Sequence, residues 1–274
     1  MAEPKPRELV KGARQGAYPC ILAALLLMTP APTYRTQDEA SVDSRISRMA
    51  KVQKNWGPKM NTSGVRITLK EVKRVMTPQG TSVYYHLLET GLDTGQVYTL
   101  FSATLQLSTV PALEGVTFSE SGLGVCAGRD GTCSGDKPND PIDLVMFAAK
   151  GEPKRLAVVS ANSEYKAFTY VVPFPIVGED RGCTVEVILL SAKAEAVLIH
   201  ASGLTPTRDV HFTGVSEGEI QRNDSKADEE GNYYQAALPF VKGKSHGSAK
   251  ATIQSSGCSP SVSFEWGDGT DHNQ

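Results

Sequence analysis

Histidines and carboxylates are the side chains of this sequence whose types and spacing could do chemistry. The five histidines are His86, His200, His211, His246 and His272. His200 and His211 fall in or beside strand-like runs that flank one turn, where two imidazoles facing each other could share a metal ion. Polar-face histidines on a sheet are the more ordinary source of such a pair. Acidic and amide side chains gather twice: Asp136, Asn139, Asp140 and Asp143 around a proline-rich turn, and Asp224, Asp228, Glu229 and Glu230 just before Gly231. Calcium takes several oxygens converging from one loop. Neither cluster has the D-x-D/N-x-D/N-G spacing, so both are expected to be solvated turns. Glycoside hydrolysis would need two carboxylates from distant strands, and no pair is singled out. The phosphate loop G-x4-G-K-S/T, the dinucleotide fingerprint G-x-G-x-x-G and the zinc motif H-E-x-x-H do not occur. The expectation is a non-enzyme with no catalytic, cofactor-binding or metal residues and no cofactor. Tyr84, Tyr85, Tyr98, Tyr165, Tyr170, Tyr233 and Tyr234 could supply an aromatic binding face, or could be core. Asn61-Thr62-Ser63 and Asn223-Asp224-Ser225 match the glycosylation acceptor pattern.

The cysteines point to a compartment. Cys20 belongs to an N-terminal segment that reads as a secretory signal. Lys5, Arg7, Lys11 and Arg14 precede an apolar run from Cys20 to Met28, and small residues and prolines follow to Thr33. The run is shorter than the roughly 20 residues needed to span a bilayer. No later stretch is apolar enough to cross, so no membrane span is expected in the mature chain. With residues 1–33 removed, Cys126, Cys133, Cys183 and Cys258 remain, an even number suited to two disulfides in an oxidising compartment. Three pairings are open. The preferred one closes the small loop Cys126–Cys133 and ties Cys183 to Cys258. A four-cysteine zinc site would bring close C-x2-C pairs, which are missing. The expected location is secreted, periplasmic or on the cell surface.

The elements that would position these residues are strands. Of the 274 residues 40% are apolar and 21% charged, with net charge -2, so the chain can bury a core and offers no general attraction to nucleic acid. Glycine (25) and proline (16) punctuate short alternating runs. Residues 34–61 are polar. Ile46, Met49 and Val52 recur at threes, which allows a weak helix from Asp38 to Lys54, but a flexible linker is the expectation. From Thr62 onward about seven strand-like runs suggest a first β-sandwich over residues 62–178. Gly115 to Gly135 is read as loop, and Pro173-Phe174-Pro175-Ile176 as a stiff crossing. A second sandwich over residues 179–267 is expected from six runs: 184–190, 194–201, 210–215, 232–238, 248–254 and 261–266. Residues 268–274 read as a disordered tail. The last strand is the clearest, with Val262, Phe264 and Trp266 alternating with Ser263 and Glu265.

Within the second half, Ile199-His200-Ala201-Ser202-Gly203-Leu204-Thr205-Pro206, then Val210, then Ala227-Asp228-Glu229-Glu230-Gly231-Asn232-Tyr233, resembles bacterial immunoglobulin-like repeats. The likeness covers roughly residues 183–267. It implies a sandwich used for adhesion, display or spacing, and it brings no catalytic residues with it. Trp266 follows Cys258, whereas antibody-type domains place a tryptophan between the bridged cysteines. The fold expected is therefore all-β: two immunoglobulin-like or fibronectin-like β-sandwich domains in tandem. The function expected is exported binding of a protein or carbohydrate ligand, or a surface-structural role. The alternatives are a secreted hydrolase and an assembly subunit that works by strand addition.

Overall fold

The alternation seen at Val262, Phe264 and Trp266 recurs along most of the chain, and it is why the chain forms sheets: one set of side chains faces a core while its neighbours face water. A computed structural model describes residues 37–268, apart from 79 and 128–138. The expected signal segment 1–33, Cys133, Asp136, His272 and residues 269–274 lie outside the described residues. In chain order the elements are α1 (Gln37–Asn55), a 3-10 turn (Pro58–Met60), β1 (Arg66–Thr77), β2 (Gly80–Thr90), β3 (Tyr98–Ala103), β4 (Thr109–Phe118), β5 (Gly124–Cys126), β6 (Asp143–Met146), β7 (Lys154–Ser160) and β8 (Lys166–Val171). There follow β9 (Ile176–Asp180), β10 (Cys183–Leu189), β11 (Val197–Ser202), β12 (Asp209–Ser216), β13 (Glu219–Lys226), β14 (Tyr233–Ala237), β15 (His246–Ser255) and β16 (Ser261–Gly267).

All strand pairs are antiparallel, and the fold is all-β with two sandwiches. In the first, a sheet β1-β2-β6 faces a sheet β5-β4-β3-β7-β8. Ile67, Val83, Tyr85 and Leu87 from one side meet Leu100, Val116, Phe118 and Val158 from the other. In the second, β14-β11-β10-β9 faces β13-β12-β15-β16. There Val185, Val187, Ile199 and Tyr233 meet Phe212, Ile253, Phe264 and Trp266. The disulfide Cys183–Cys258 joins the start of β10 to the turn before β16, with Cα atoms 6.3 Å apart across 75 residues of sequence. Cys126 is also disulfide-bonded.

Three sequence expectations are corrected. The stretch expected to be a flexible linker contains α1, a 19-residue helix. Its buried stripe is Met49, Ala50 and Gln53, continued by Trp56 just beyond its end, a 3.6-residue spacing interrupted by a polar side chain. That interruption hid it. The region read as loop from Gly115 carries the end of β4 and all of β5. Finally, two strands of the second sandwich, β9 and β13, lie where no run was recognised. Pro175 masked β9. Every residue of β13 is exposed, so it has no apolar alternation to reveal it.

Candidate binding groove at the sandwich junction

Helix α1 is a strap. Its middle turns, Ile46 to Ala50, lie on the outer face of β10, β11 and β14: Met49 and Ala50 pack with Ile188, Leu190, Ala196 and Leu198, and Ile46, Tyr234 and Leu238 close the edge. Its C-terminal end lies against the first sandwich, where Trp56 packs with Ala103 and Ala157 and, at the edge, with Val52, Phe101 and Phe168. The Trp56 ring meets Phe168 edge-on at 5.2 Å and 85°. Its indole N–H donates to the carbonyl oxygens of Thr169 (2.9 Å) and Leu156 (3.3 Å). One helix thus covers the outer faces of two sheets that would otherwise expose apolar side chains to water. Pro58, just beyond α1, cannot continue it.

The two sandwiches also touch directly. The Leu189 N–H donates to the Gly151 carbonyl at 2.9 Å. The turn between β3 and β4 sends Leu105 to the edge of the second sandwich's core and Leu107 to the helix-covered face.

Polar groups are buried in this junction. Arg155, on β7, has no exposed surface; its Nε donates to Gln53 Oε1 of α1 and its Nη1 to the Thr104 carbonyl at 3.1 Å. Burial pulls its guanidinium down to about 10, opposing the pull of Tyr170 and Glu152. Burial likewise pushes the Tyr170 phenol up to about 12, with Glu186 and Tyr234 adding to the shift and Gln53 and Arg155 opposing it. Gln53 Nε2 and Arg155 Nη2 are buried without a hydrogen-bond partner among the described residues. Such groups cost stability, which the surrounding packing must offset. Next to it, His200 stacks flat on Tyr234 (4.6 Å, 7°), Lys54 Nζ sits 4.9 Å over the same ring, and Glu186 Oε2 lies 3.6 Å from His200 Nδ1.

At the N-terminal side of the strap, turns from both sandwiches meet α1 around a groove of about 460 Å3. Its floor is apolar: Met49, Leu107, Leu190, Ala196, Leu238 and the half-exposed Phe240. Arg45 and Arg48 stand on the helix side, and Glu195 on the β10–β11 turn. Two of its turns hold left-handed backbone at residues that disfavour it, Leu107 (φ 66) and Ala194 (φ 54). The strain is offset by their packing, Leu107 against the helix-covered face and Ala194 inside the second core. Ser191 is committed to its turn, accepting the Ala196 N–H at 3.0 Å. The groove can therefore hold an apolar surface and place two guanidinium groups beside an anion.

The residues singled out in the sequence mostly lie elsewhere. His200 and His211 do not meet. Their strands β11 and β12 belong to different sheets, and both point outward, to opposite sides of the sandwich, because the intervening turn crosses from one sheet to the other. His211 Nδ1 pairs with Asp224 Oδ1 at 2.8 Å, and His86 Nε2 with Asp143 Oδ1 at 3.0 Å. Asp228 accepts the N–H groups of Glu230 (3.0 Å) and Asn232 (2.7 Å) within its own turn. Among the described residues no three His, Cys, Asp or Glu side chains are placed to hold a metal ion. The tyrosines do not form one face: Tyr85, Tyr98 and Tyr233 are core. Asn61 pins the strap's exit, accepting the Phe168 N–H at 2.7 Å and donating to the Val65 carbonyl at 2.9 Å. Asn223 donates to Gln235 Oε1 at 2.8 Å. Arg45, Arg48 and Phe240 were not found from sequence, and no local motif marks them.

No protein-family model and no curated protein matches the chain. Among solved structures it is similar to a tetra-tandem repeat in the extending region of a large adhesion protein, at 11% identity and TM-score 0.24, over 76% of this chain. The chain spans about half, 49%, of that structure's length. It is similar to the chicken interferon gamma receptor alpha chain at 7% identity and TM-score 0.21, over 72% of this chain and 97% of that one. It is also similar to a DUF3823 family protein from Bacteroides ovatus at 8% identity and TM-score 0.19, over 74% and 98%. Overlaps this loose leave the chain's activity to be argued from its own residues. Among the described residues no helix is long and apolar enough to cross a membrane.

Proposed function

We propose that the chain is an exported, non-enzymatic binding protein whose ligand seat is the groove between α1 and the facing turns. The observation that carries this reading is the groove's composition: an apolar floor with the guanidinium groups of Arg45 and Arg48 at its side. The ligand class that suits it has an apolar body and an anionic group, such as a carboxylate on a hydrophobic peptide or acyl chain. The strap and the backbone bond between Leu189 and Gly151 support a preformed seat, which limits the ordering cost of binding. Export is supported by the Cys183–Cys258 disulfide, because such bonds persist in oxidising compartments.

The test is a titration with 1-anilinonaphthalene-8-sulfonate, which has the required apolar body and anion, followed by fluorescence. Saturable binding at one site per chain is expected, with competition by dodecanoate. Ala192→Trp would fill the groove from its exposed rim and abolish binding. Arg45→Glu with Arg48→Glu would weaken it by roughly tenfold or more. Binding unchanged in both variants would refute the assignment.

A further inference from the structure

We infer that the free edge of β13 is a self-complementary surface through which two copies of this chain join their sheets. β13 is the outermost strand of β13-β12-β15-β16, and among the described residues it pairs with β12 alone. All eight of its residues are exposed.

The other sheet edges are short, shielded or distorted. β5 has three residues, β6 four, and β9 and β14 five each. β16 lies against β9, with the Ser261 carbonyl oxygen where a Cβ on Gly178 would stand. β1 carries a bulge between Glu71 and Lys73 and a column of basic residues, and the chain before it bonds to β8 through Thr62 and Lys166. These are the usual protections of an edge. β13 has no proline, no bulge and an unbroken register with β12, and its two cations (Arg222, Lys226) are balanced by two anions (Glu219, Asp224).

Which backbone groups point outward follows from the hairpin. Glu217 (φ 48) and Gly218 (φ 90) form a two-residue turn with both φ positive, which makes Ser216 and Glu219 the closing hydrogen-bonded pair. Hydrogen-bonded and non-hydrogen-bonded pairs then alternate along the ladder. Ile220, Arg222, Asp224 and Lys226 therefore direct their N–H and C=O groups to the free side. The far side of the sheet agrees in phase: the Ile253 N–H bonds to the Pro260 carbonyl at 3.0 Å, away from β12. Two copies can pair antiparallel only where outward residues meet outward residues. Centring the two-fold on Arg222 sets Arg222 against itself. Centring it on Asp224 sets Asp224 against itself and Arg222 against Lys226. Centring it on Asn223 sets Arg222 opposite Asp224 of the second copy, twice, with Ile220 opposite Lys226. Centring it on Ser225 also opposes charges, Asp224 against Lys226, but pairs only residues 224–226 of each strand, whereas the Asn223 register pairs residues 220–226; charge and paired length together select the Asn223 register. Arg222 and Asp224 share the outer face with His211, so the pairs form without disturbing the core. The contact is isologous, so it closes as a dimer instead of propagating as a filament.

The full chain, produced in a host that does not glycosylate, would be measured by sedimentation equilibrium over a range of concentrations. A reversible monomer–dimer equilibrium is expected. Arg222→Asp puts like charges opposite each other twice and should weaken association roughly tenfold or more. Arg222→Asp with Asp224→Arg restores the match and should restore the dimer. Because both sites are exposed, circular dichroism and the melting midpoint should stay those of the parent. A monomer at every concentration, a filament, or a dimer indifferent to both variants would overturn the inference. Groove occupancy by the fluorescent sulfonate is a separate readout, so either proposal can fail alone.

Discussion

Replacing Trp56 by alanine separates a helix that straps the sandwiches together from one that merely connects them to the chain before it. Trp56 is 7% exposed, lies edge-on to Phe168, and donates to two strand carbonyls. Truncating a buried tryptophan costs about 3–5 kcal/mol through lost burial and the cavity left behind. The lost hydrogen bond adds about 1 kcal/mol. A chain of this length unfolds in urea with a slope of about 2–3 kcal/mol per molar. The midpoint for Trp56→Ala should therefore fall by roughly 1.3–3 M, followed by far-ultraviolet circular dichroism and by the fluorescence of the remaining Trp266. Met60→Ala, at a half-exposed position four residues on, should move it by less than about 0.2 M. Trypsin supplies an independent readout: Lys51 and Lys54 sit on the docked helix and should resist cleavage in the parent but not in the variant. A midpoint within about 0.3 M of the parent, with unchanged proteolysis, would refute the strap.

Three further outcomes follow from the same geometry. The Tyr170 proton is held more tightly in the folded chain, whose phenol is pushed up to about 12, than in the unfolded chain, where it ionises near 10. Its stabilisation is thus complete below about pH 10 and is lost as pH rises through about 12, so Tyr170→Phe should lose less stability than the parent between about pH 9 and about pH 11.5. Equal losses in urea midpoint would contradict this. Loss of the Cys183–Cys258 crosslink should cost up to about 4.5 kcal/mol by loop-closure entropy for the 75-residue separation, seen as a lower melting midpoint for the double alanine variant; an unchanged midpoint would contradict it. In Gly178→Ala the new Cβ would lie 1.9 Å from the Ser261 carbonyl oxygen, forcing β9 from β16 at a cost of roughly 1–3 kcal/mol; a neutral result in denaturant titration would show that the corner yields freely.

Sequence alone determined the strands whose faces alternate. Val185 and Val187, Phe212, Ile253, and Val262 with Phe264 and Trp266 all lie in recognised runs and reach the second core. That is a local property: period-two burial needs only neighbouring residues to be legible. The Cys183–Cys258 pairing was also within reach, since it was the preferred one of three. Tertiary structure alone decided the rest. Gln53 breaks the apolar stripe of α1 because its partner, Arg155, comes from a strand about a hundred residues away. β13 is held by the ladder to β12 and a tight turn, with no buried side chains to betray it. His200 and His211 are parted by a crossing between sheets. Arg45, Arg48 and Phe240 acquire a role only where turns from two sandwiches converge on one helix. Local periodicity records which face of an element avoids water; it does not record which distant surface provides the cover, and the groove and the free edge both depend on that.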